Sequence, residues 1–156
     1  MFNHAPSDYI CPFCEFVAGR ETPYKQLDDI VYENDFVMAF VSPKWWPNNP
    51  GNVIIIPKKH VENLYDIPEE ELMEITKASK KIGIAMREIY GCTGISTRQH
   101  NEPDGGQDVW HFHLHVLPRH KDDRLYQNHD QSTFVEPEAR APYAKKLREY
   151  LRRANV

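Results

Sequence analysis

The stretch Trp110-His111-Phe112-His113-Leu114-His115-Val116-Leu117-Pro118 constrains this chain more than any other, because three of its eight histidines recur there at every second position. Alternation with a period of two predicts a strand. On a pleated strand His111, His113 and His115 share one face, while Phe112, Leu114 and Val116 share the other. The apolar face then packs into a core, and the imidazoles look into a polar site. Equivalent atoms two residues apart on a strand lie about 6.5 to 7 Å apart, so neighbouring rings can chelate one ion but three on one ion are strained. The expectation is a division of labour among the three histidines at a working site.

At 156 residues, with 40% hydrophobic and 27% charged residues, the chain suits one globular domain spanning 1–156. Its net charge of -4 excludes a global attraction for nucleic acid or anionic membranes, so an anionic ligand must be held by local groups. No segment approaches the roughly 20 apolar residues of a membrane span, and Met1 to Ile10 carries neither a basic start nor an apolar run. A cytoplasmic protein is expected, with no nucleic-acid or membrane partner. Three cysteines do not make a disulfide framework.

Two of those cysteines form Cys11-Pro12-Phe13-Cys14. This spacing fits a redox pair opening a thioredoxin-like helix, or half of a zinc site. Ser7-Asp8-Tyr9-Ile10 is a poor strand and no βαβ pattern follows, which favours zinc over redox chemistry. Two further ligands are then needed, and the plentiful later histidines point to a Cys2His2 site split across the sequence; two reduced, buried cysteines are the plain alternative. Asn52 to Ile56 is a continuous apolar run stopped by Pro57, which predicts a buried central strand. His60 follows just past its end and is a third candidate ligand.

Elsewhere, Leu27–Glu33 and Phe36–Val41 flank Asn34-Asp35, residues that tolerate positive φ, and predict a tight hairpin. Residues 42–51 are dense in turn formers and predict a loop, whose Trp45 and Trp46 either stack on a ligand or interface or pack over the core. Asp66-Ile67-Pro68-Glu69 reads as an N-cap with Glu three residues on, followed by one long amphipathic helix to about Tyr90, with Gly91 as its stop. Glu69, Glu70 and Glu71 are explained by the helix dipole, and Cys92 as an incidental buried thiol. Gly94–His100 is a short strand candidate, and Asn101 to Gly106 a flexible turn whose glycines allow backbone N–H groups to approach an anion. Residues 119–132 read as surface loop, and a short amphipathic helix with a solvated basic face is expected over about 142 to 153.

Taken together, His111 to Leu117 resembles the histidine triad of the HIT family of nucleotide hydrolases and transferases. Cys11-x-x-Cys14, Tyr32-Glu33-Asn34-Asp35, Ile56-Pro57-Lys58-Lys59-His60 and Asn101 through Gln107 follow that family's order, so the likeness covers about residues 11 to 120. It implies an α+β fold: an antiparallel five-stranded sheet with one long helix and short terminal helices, paired in a homodimer whose sheets join. It implies that His113 attacks the α-phosphorus of a nucleotide, forming a transient nucleotidyl-histidine that water hydrolyses. His115, Gln107, Asn101 and backbone amides beside Gly106 would aim donors at the phosphate oxygens.

Similarity to zinc-bearing bacterial members assigns Cys11, Cys14, His60 and His111 to one structural zinc; in zinc-free members the same two histidines join a hydrogen-bonding relay. That assignment leaves His113 unliganded. Two positions depart from the family pattern. Ser42 stands where an Asp usually holds the ribose hydroxyls, and Asp108 stands where Ser or Thr donates a proton near the leaving group. An ionised carboxylate cannot donate there, so Asp108 is either protonated beside the phosphate or orients a neighbour. The expected activity is cleavage of a nucleoside 5′-phosphate from its leaving group, as a phosphoramidase or a dinucleoside polyphosphate hydrolase. Competing readings are a metalloenzyme whose His111, His113 and His115 hold a catalytic metal, and a nucleotide-binding module of low turnover.

Overall fold

A computed structural model describes residues 2–154 of the chain. In chain order the elements are α1 (Pro12–Val17), β1 (Ile30–Glu33), β2 (Val37–Val41), β3 (Lys44–Trp45), β4 (Val53–Pro57), α2 (Glu69–Tyr90), β5 (Gly94–Gln99), β6 (Leu114–Arg119), β7 (Thr133–Phe134) and α3 (Pro137–Arg153). Five of the strands form one sheet in the order β1-β2-β4-β6-β5, with every neighbouring pair antiparallel. This is the expected α+β architecture.

The middle strand explains the apolar run at 53–57. Val53 and Ile55 point to a core shared with Ile75, Ala78, Ile82 and Met86 of α2 and Ala144, Leu147 and Leu151 of α3. Ile54 and Ile56 point to the opposite layer, where α1 supplies Phe13 and Phe16 against Met38 and Phe40. A strand covered on both faces has no polar side to alternate with. Within α2 the buried positions recur at helical spacing, and each large side chain so buried contributes about 1.5 to 3 kcal/mol.

Several expectations are corrected. The hairpin turn at Asn34-Asp35 uses no positive φ. Instead Asn34 Oδ1 accepts from the N–H groups of Phe36 and Val37, both at 2.9 Å, an Asx turn that needs no left-handed residue. Leu27–Asp29 is a 3-10 turn that precedes β1. The N-cap of α2 is Pro68, two residues after Asp66. Gly91 does end the helix, at φ 65°. The loop at 42–51 contains β3, which pairs with β7 in a second, two-stranded sheet.

The segment after β6 is therefore no mere surface loop. Asp123 is buried and takes two bonds from Arg119 (2.7 and 2.8 Å), one from Asn49 Nδ2 (2.8 Å) and two from backbone N–H groups (3.0 and 3.1 Å). Leu125 packs with Trp46 and Leu117 in a small cluster of its own. The last helix begins at Pro137, some five residues before the expected start, and accommodates Pro142 in its second turn. Its basic residues are not all solvated: Arg140 is fully buried against Asp29, and Arg148 reaches the carbonyls of Asp28 and Ile30.

Candidate active site

The histidine stretch is not one continuous strand. Ladder pairing of β6 begins at Leu114, opposite Ile55 of β4 and Gln99 of β5, so only His115 of the three histidines lies within the sheet. Upstream, the Trp110 N–H donates to Tyr9 Oη (3.2 Å) and the Phe112 N–H to the Val61 carbonyl (2.6 Å). The cause lies in β4, whose last residue is Pro57: it has no N–H, and its carbonyl accepts from His111 Nε2 at 3.0 Å. Released from the ladder, the histidines face different partners.

His113 is 2% exposed and its Nδ1 lies 2.7 Å from the carbonyl oxygen of His111. A carbonyl only accepts, so Nδ1 carries the proton and Nε2 holds the lone pair. Asp108 Oδ1 lies 3.6 Å from that Nε2, and the Phe13 and His115 rings are centred 5.5 and 5.3 Å from the imidazole. Burial pushes the His113 pKa below its ordinary value, against smaller opposing effects of the His111 carbonyl and Asp108, so the ring is neutral near pH 7. Burial, then His113 and Arg98, push that of His115 further down. The His115 Nδ1 is buried with no hydrogen-bond partner.

Both rings open onto a cleft of about 500 Å³. Of the residues expected to bind substrate, Ser42, Gly106, Asp108, His113 and His115 line it, whereas Asn101 and Gln107 do not. The Ser42 hydroxyl donates to the Lys44 carbonyl (3.0 Å) and accepts from the Lys44 N–H (3.2 Å), closing its own turn. Gln107 is buried, with Nε2 on the carbonyls of Glu62 (2.7 Å) and Val109 (3.1 Å) and Oε1 on the Glu102 N–H (2.8 Å). Asn101 Oδ1 accepts from the Leu64 N–H at 2.7 Å. These two amides brace the loop.

The Gly106 and Gln107 N–H groups close the turn onto the carbonyls of Pro103 and Glu102 (2.9 and 3.1 Å). The N–H groups of Asp108 and Val109, both beside the cleft, have no acceptor among the described residues. They are the backbone donors available to an anion. Gly105 is required because a Cβ there would lie 1.9 Å from the Asn101 carbonyl oxygen.

The cleft also holds groups that sequence reasoning missed: Lys25, Lys44, Arg98 and His100. Arg98 sits opposite His115 in the strand register, a pairing visible only once the β5–β6 register is known. Of the two tryptophans, Trp45 packs on Tyr143 with ring centres 5.0 Å apart, whereas Trp46 lines the cleft.

Next to this cleft, the Sγ atoms of Cys11 and Cys14 and one ring nitrogen each of His60 and His111 all lie within 4.8 Å of one another. His111 Nδ1 is 3.3 Å from Cys11 Sγ and 3.6 Å from Cys14 Sγ, and His60 Nδ1 is 3.2 Å from Cys14 Sγ. An S to N edge of a tetrahedral zinc site measures about 3.5 Å. Because His111 Nε2 donates to Pro57, its Nδ1 lone pair is directed at the thiols. Burial and the neighbouring Cys11 push the Cys14 thiol up to about 12, and burial holds His111 down to about 4. A neutral imidazole beside a thiol that resists ionisation is a donor set completed by a divalent cation. Among the described residues this is the metal-competent cluster, and it includes neither His113 nor His115, so one catalytic ion on all three histidines finds no support.

Comparison with known proteins places this geometry. The HIT domain model matches residues 25–122. "Protein hit" of Bacillus subtilis is 34% identical over 110 residues, covering 70% of this chain and 71% of the relative. A bis(5′-adenosyl)-triphosphatase of Dictyostelium discoideum is 30% identical over 103 residues, 66% of each chain. A HIT-like protein of Bartonella henselae superposes with a TM-score of 0.76 at 30% identity, over 94% of this chain and 98% of the other. A zinc-bound histidine triad protein of Mycobacterium smegmatis superposes with a TM-score of 0.75 at 27% identity, over 93% and 95%. With the family model covering well over half of its length, this chain belongs to the HIT family.

Proposed function

We propose that this protein is a nucleotide hydrolase that cleaves a nucleoside 5′-phosphate from its leaving group through a nucleotidyl-histidine at His113. The observation that carries this reading is the hydrogen bond from His113 Nδ1 to the His111 carbonyl, which presents the other nitrogen of a neutral, buried imidazole to the cleft. Nε2 attacks the α-phosphorus, the P–N bond forms, and the leaving group departs with the electron pair of the broken bond. Water then attacks phosphorus, the P–N bond breaks, and the nucleoside monophosphate is released.

Such chemistry is accelerated by donors fixed on the phosphate oxygens. His115 and the N–H groups of Asp108 and Val109 fill that role, while Gln107 and Asn101 are positioning residues that hold the loop carrying those amides. Asp108 orients the substrate or a proton beside Nε2. The relative named as a triphosphatase supports hydrolysis of a phosphoanhydride by this family's scaffold.

Cys11, Cys14, His60 and His111 hold a structural zinc, a reading supported by their spacing and by the zinc-bound neighbour. A zinc ion held by these four residues would join α1 to the segment just after β4 and would serve the fold rather than the reaction. Thiolate ligands suit a reducing compartment, consistent with a cytoplasmic protein, and no helix of the described residues is long and apolar enough to cross a membrane. Two copies pair through β5, one of the two outer strands of the sheet, and through exposed Met73 and Ile84 of α2.

The test is to mix enzyme with labelled dinucleotide, quench in base because phosphohistidine bonds are acid-labile, and locate the adduct by mass spectrometry. A nucleotidyl group on the His113 peptide is expected, with His113→Ala losing at least about 10⁴-fold in kcat. Hydrolysis by His113→Ala near the original rate overturns the mechanism.

A further inference from the structure

We propose that Arg98, clamped under Trp46, binds the leaving group of the reaction, and that this leaving group is a phosphate anion, so the substrates are dinucleoside polyphosphates rather than nucleotide amides. The inference rests on His113 as the nucleophile.

Arg98 is anomalous among the arginines of this chain. Where a guanidinium is removed from water elsewhere, it is paired: Arg140 with Asp29 at 2.6 Å, and Arg119 with Asp123 at 2.7 and 2.8 Å. Arg98 is half-buried, makes no ion pair among the described residues, and its Nε is buried with no hydrogen-bond partner. An unpaired, desolvated donor costs stability that an anion in the cleft would restore. Burial lowers the Arg98 pKa from its ordinary value, against smaller opposing effects of Tyr126 and Asp108, neither of which is in ion-pair contact with it.

The position is equally specific. Arg98 lies opposite His115 in the β5–β6 register, and the His115 ring is centred 5.3 Å from that of His113. The guanidinium carbon sits 4.6 Å from the Trp46 ring centre, and the indole is itself fixed by its Nε1 donating to the His129 carbonyl at 2.9 Å. A stacked guanidinium keeps its donors in a fixed plane, suited to phosphate oxygens and poorly suited to an amine. Lys25 and Lys44 line the same cleft, whose basic side chains outnumber its two carboxylates, Asp108 and Asp130, in a chain of net charge -4.

The chemistry of departure points the same way. When the α-phosphate is transferred to His113, the bond from the α-phosphorus to the oxygen bridging to the next phosphate breaks, and the leaving phosphate takes that oxygen and the electron pair as an oxyanion. A terminal phosphate is weakly basic near neutral pH and needs charge stabilisation, which a fixed guanidinium provides, rather than a proton. An amine leaving group needs a proton as its P–N bond breaks. Position 108, beside Nε2, carries a carboxylate that is 76% exposed and screened by solvent, where a hydroxyl donor would serve that need.

The test compares two substrates that share an adenylyl group: diadenosine triphosphate, which releases ADP, and adenosine 5′-phosphoramidate, which releases ammonia. Wild-type enzyme is expected to favour the first, and Arg98→Gln to lower the ratio of the two kcat/KM values by about 30-fold or more. Arg98→Lys, which keeps the charge and loses the fork, recovers part of the ratio. An unfolding midpoint for each variant shows that the sheet is intact. An unchanged ratio, an equal loss on both substrates, or a wild-type preference for the phosphoramidate overturns the assignment of Arg98 while leaving His113 as nucleophile. Failure of the wild-type enzyme to form any adduct on His113 removes the mechanism and this inference together.

Discussion

The buried pair Asp29–Arg140 offers the sharpest link between the far side of the molecule and the cleft. Arg140 is 0% exposed; its Nε lies 3.0 and 3.2 Å from the two Asp29 oxygens, its Nη2 lies 2.6 Å from one of them, and its Nη1 donates to the Val135 carbonyl at 2.5 Å. Val135 in turn donates to the Pro43 carbonyl at 2.9 Å, one residue after the Thr133–Phe134 strand that pairs with Lys44–Trp45. Asp29→Ala leaves a guanidinium buried without its counter-charge, a change that costs about 3 to 5 kcal/mol. For a domain of this size that is a fall in Tm of about 6 to 20 °C. Urea unfolding followed by tryptophan fluorescence measures it, with Cm reduced and m unchanged. Pairing Asp29→Leu with Arg140→Met removes both charges and is expected to return most of the loss, because the cost lies in the orphaned charge rather than in the absent bond. A cost below about 1 kcal/mol for Asp29→Ala, or a double variant no more stable than the single one, refutes the reasoning.

Three further outcomes follow from the site. Stripping metal with a chelator, or Cys14→Ser, is expected to lower Tm and hydrolysis together while far-UV circular dichroism persists, since Phe13 and Phe16 remain packed on Phe40; metal analysis before and after treatment checks stoichiometry. Gly105→Ala, whose Cβ meets the Asn101 carbonyl oxygen at 1.9 Å, displaces the loop that carries the amides of Asp108 and Val109 and is expected to cost about 100-fold in kcat. Stability is expected to fall with pH in two stages, read from urea midpoints. The depressed His115 pKa means that the unfolded chain takes up a proton first below about pH 6.5, and the Arg119 guanidinium that depresses Asp123 means a second loss below about pH 4. Asp123→Asn removes the second stage and not the first.

Local pattern made much of this fold readable. The apolar run at 53–57, the helical spacing through Met86 and the glycine at 91 each act within a few residues of themselves, and each appears where expected. The features that were not readable depend on contacts far apart in the chain. Thr133–Phe134 becomes a strand only because Lys44–Trp45 lies beside it, and Asp123 is a core residue only because Arg119 and Asn49 surround it. Neither pairing leaves a periodic trace. Arg98 carries no local mark within the 94–100 strand candidate, since its relation to Trp46 and His115 exists only after three elements have met. In the metal-competent cluster, Cys11, Cys14 and His60 were legible from donor type and spacing, whereas His111, 100 positions beyond Cys11, was assigned only through the resemblance to zinc-bearing family members.

The break in pairing at Leu114 carries the largest consequence of the fold. A regular ladder through His111 would turn its ring and that of His113 to the same face, and both would compete for one environment. Instead the peptide unit of His111 is shared between two tasks. Its ring is fixed by the Pro57 carbonyl at 3.0 Å and directed at the thiols, while its own carbonyl, 2.7 Å from His113 Nδ1, sets the tautomer of the neighbouring imidazole. Phe13, which follows the first cysteine of the cluster by two residues, stacks edge-on against both rings, with centres 5.7 and 5.5 Å away. A displacement of the cluster is therefore felt at His113 through two routes, the carbonyl and the phenyl ring, without any ion touching the substrate. Loss of the metal should act on kcat more than on KM, because it disturbs the aim of the nucleophile while Arg98, Trp46 and the loop amides keep their places. A pure KM effect would separate the two centres and show that His113 holds its tautomer unaided.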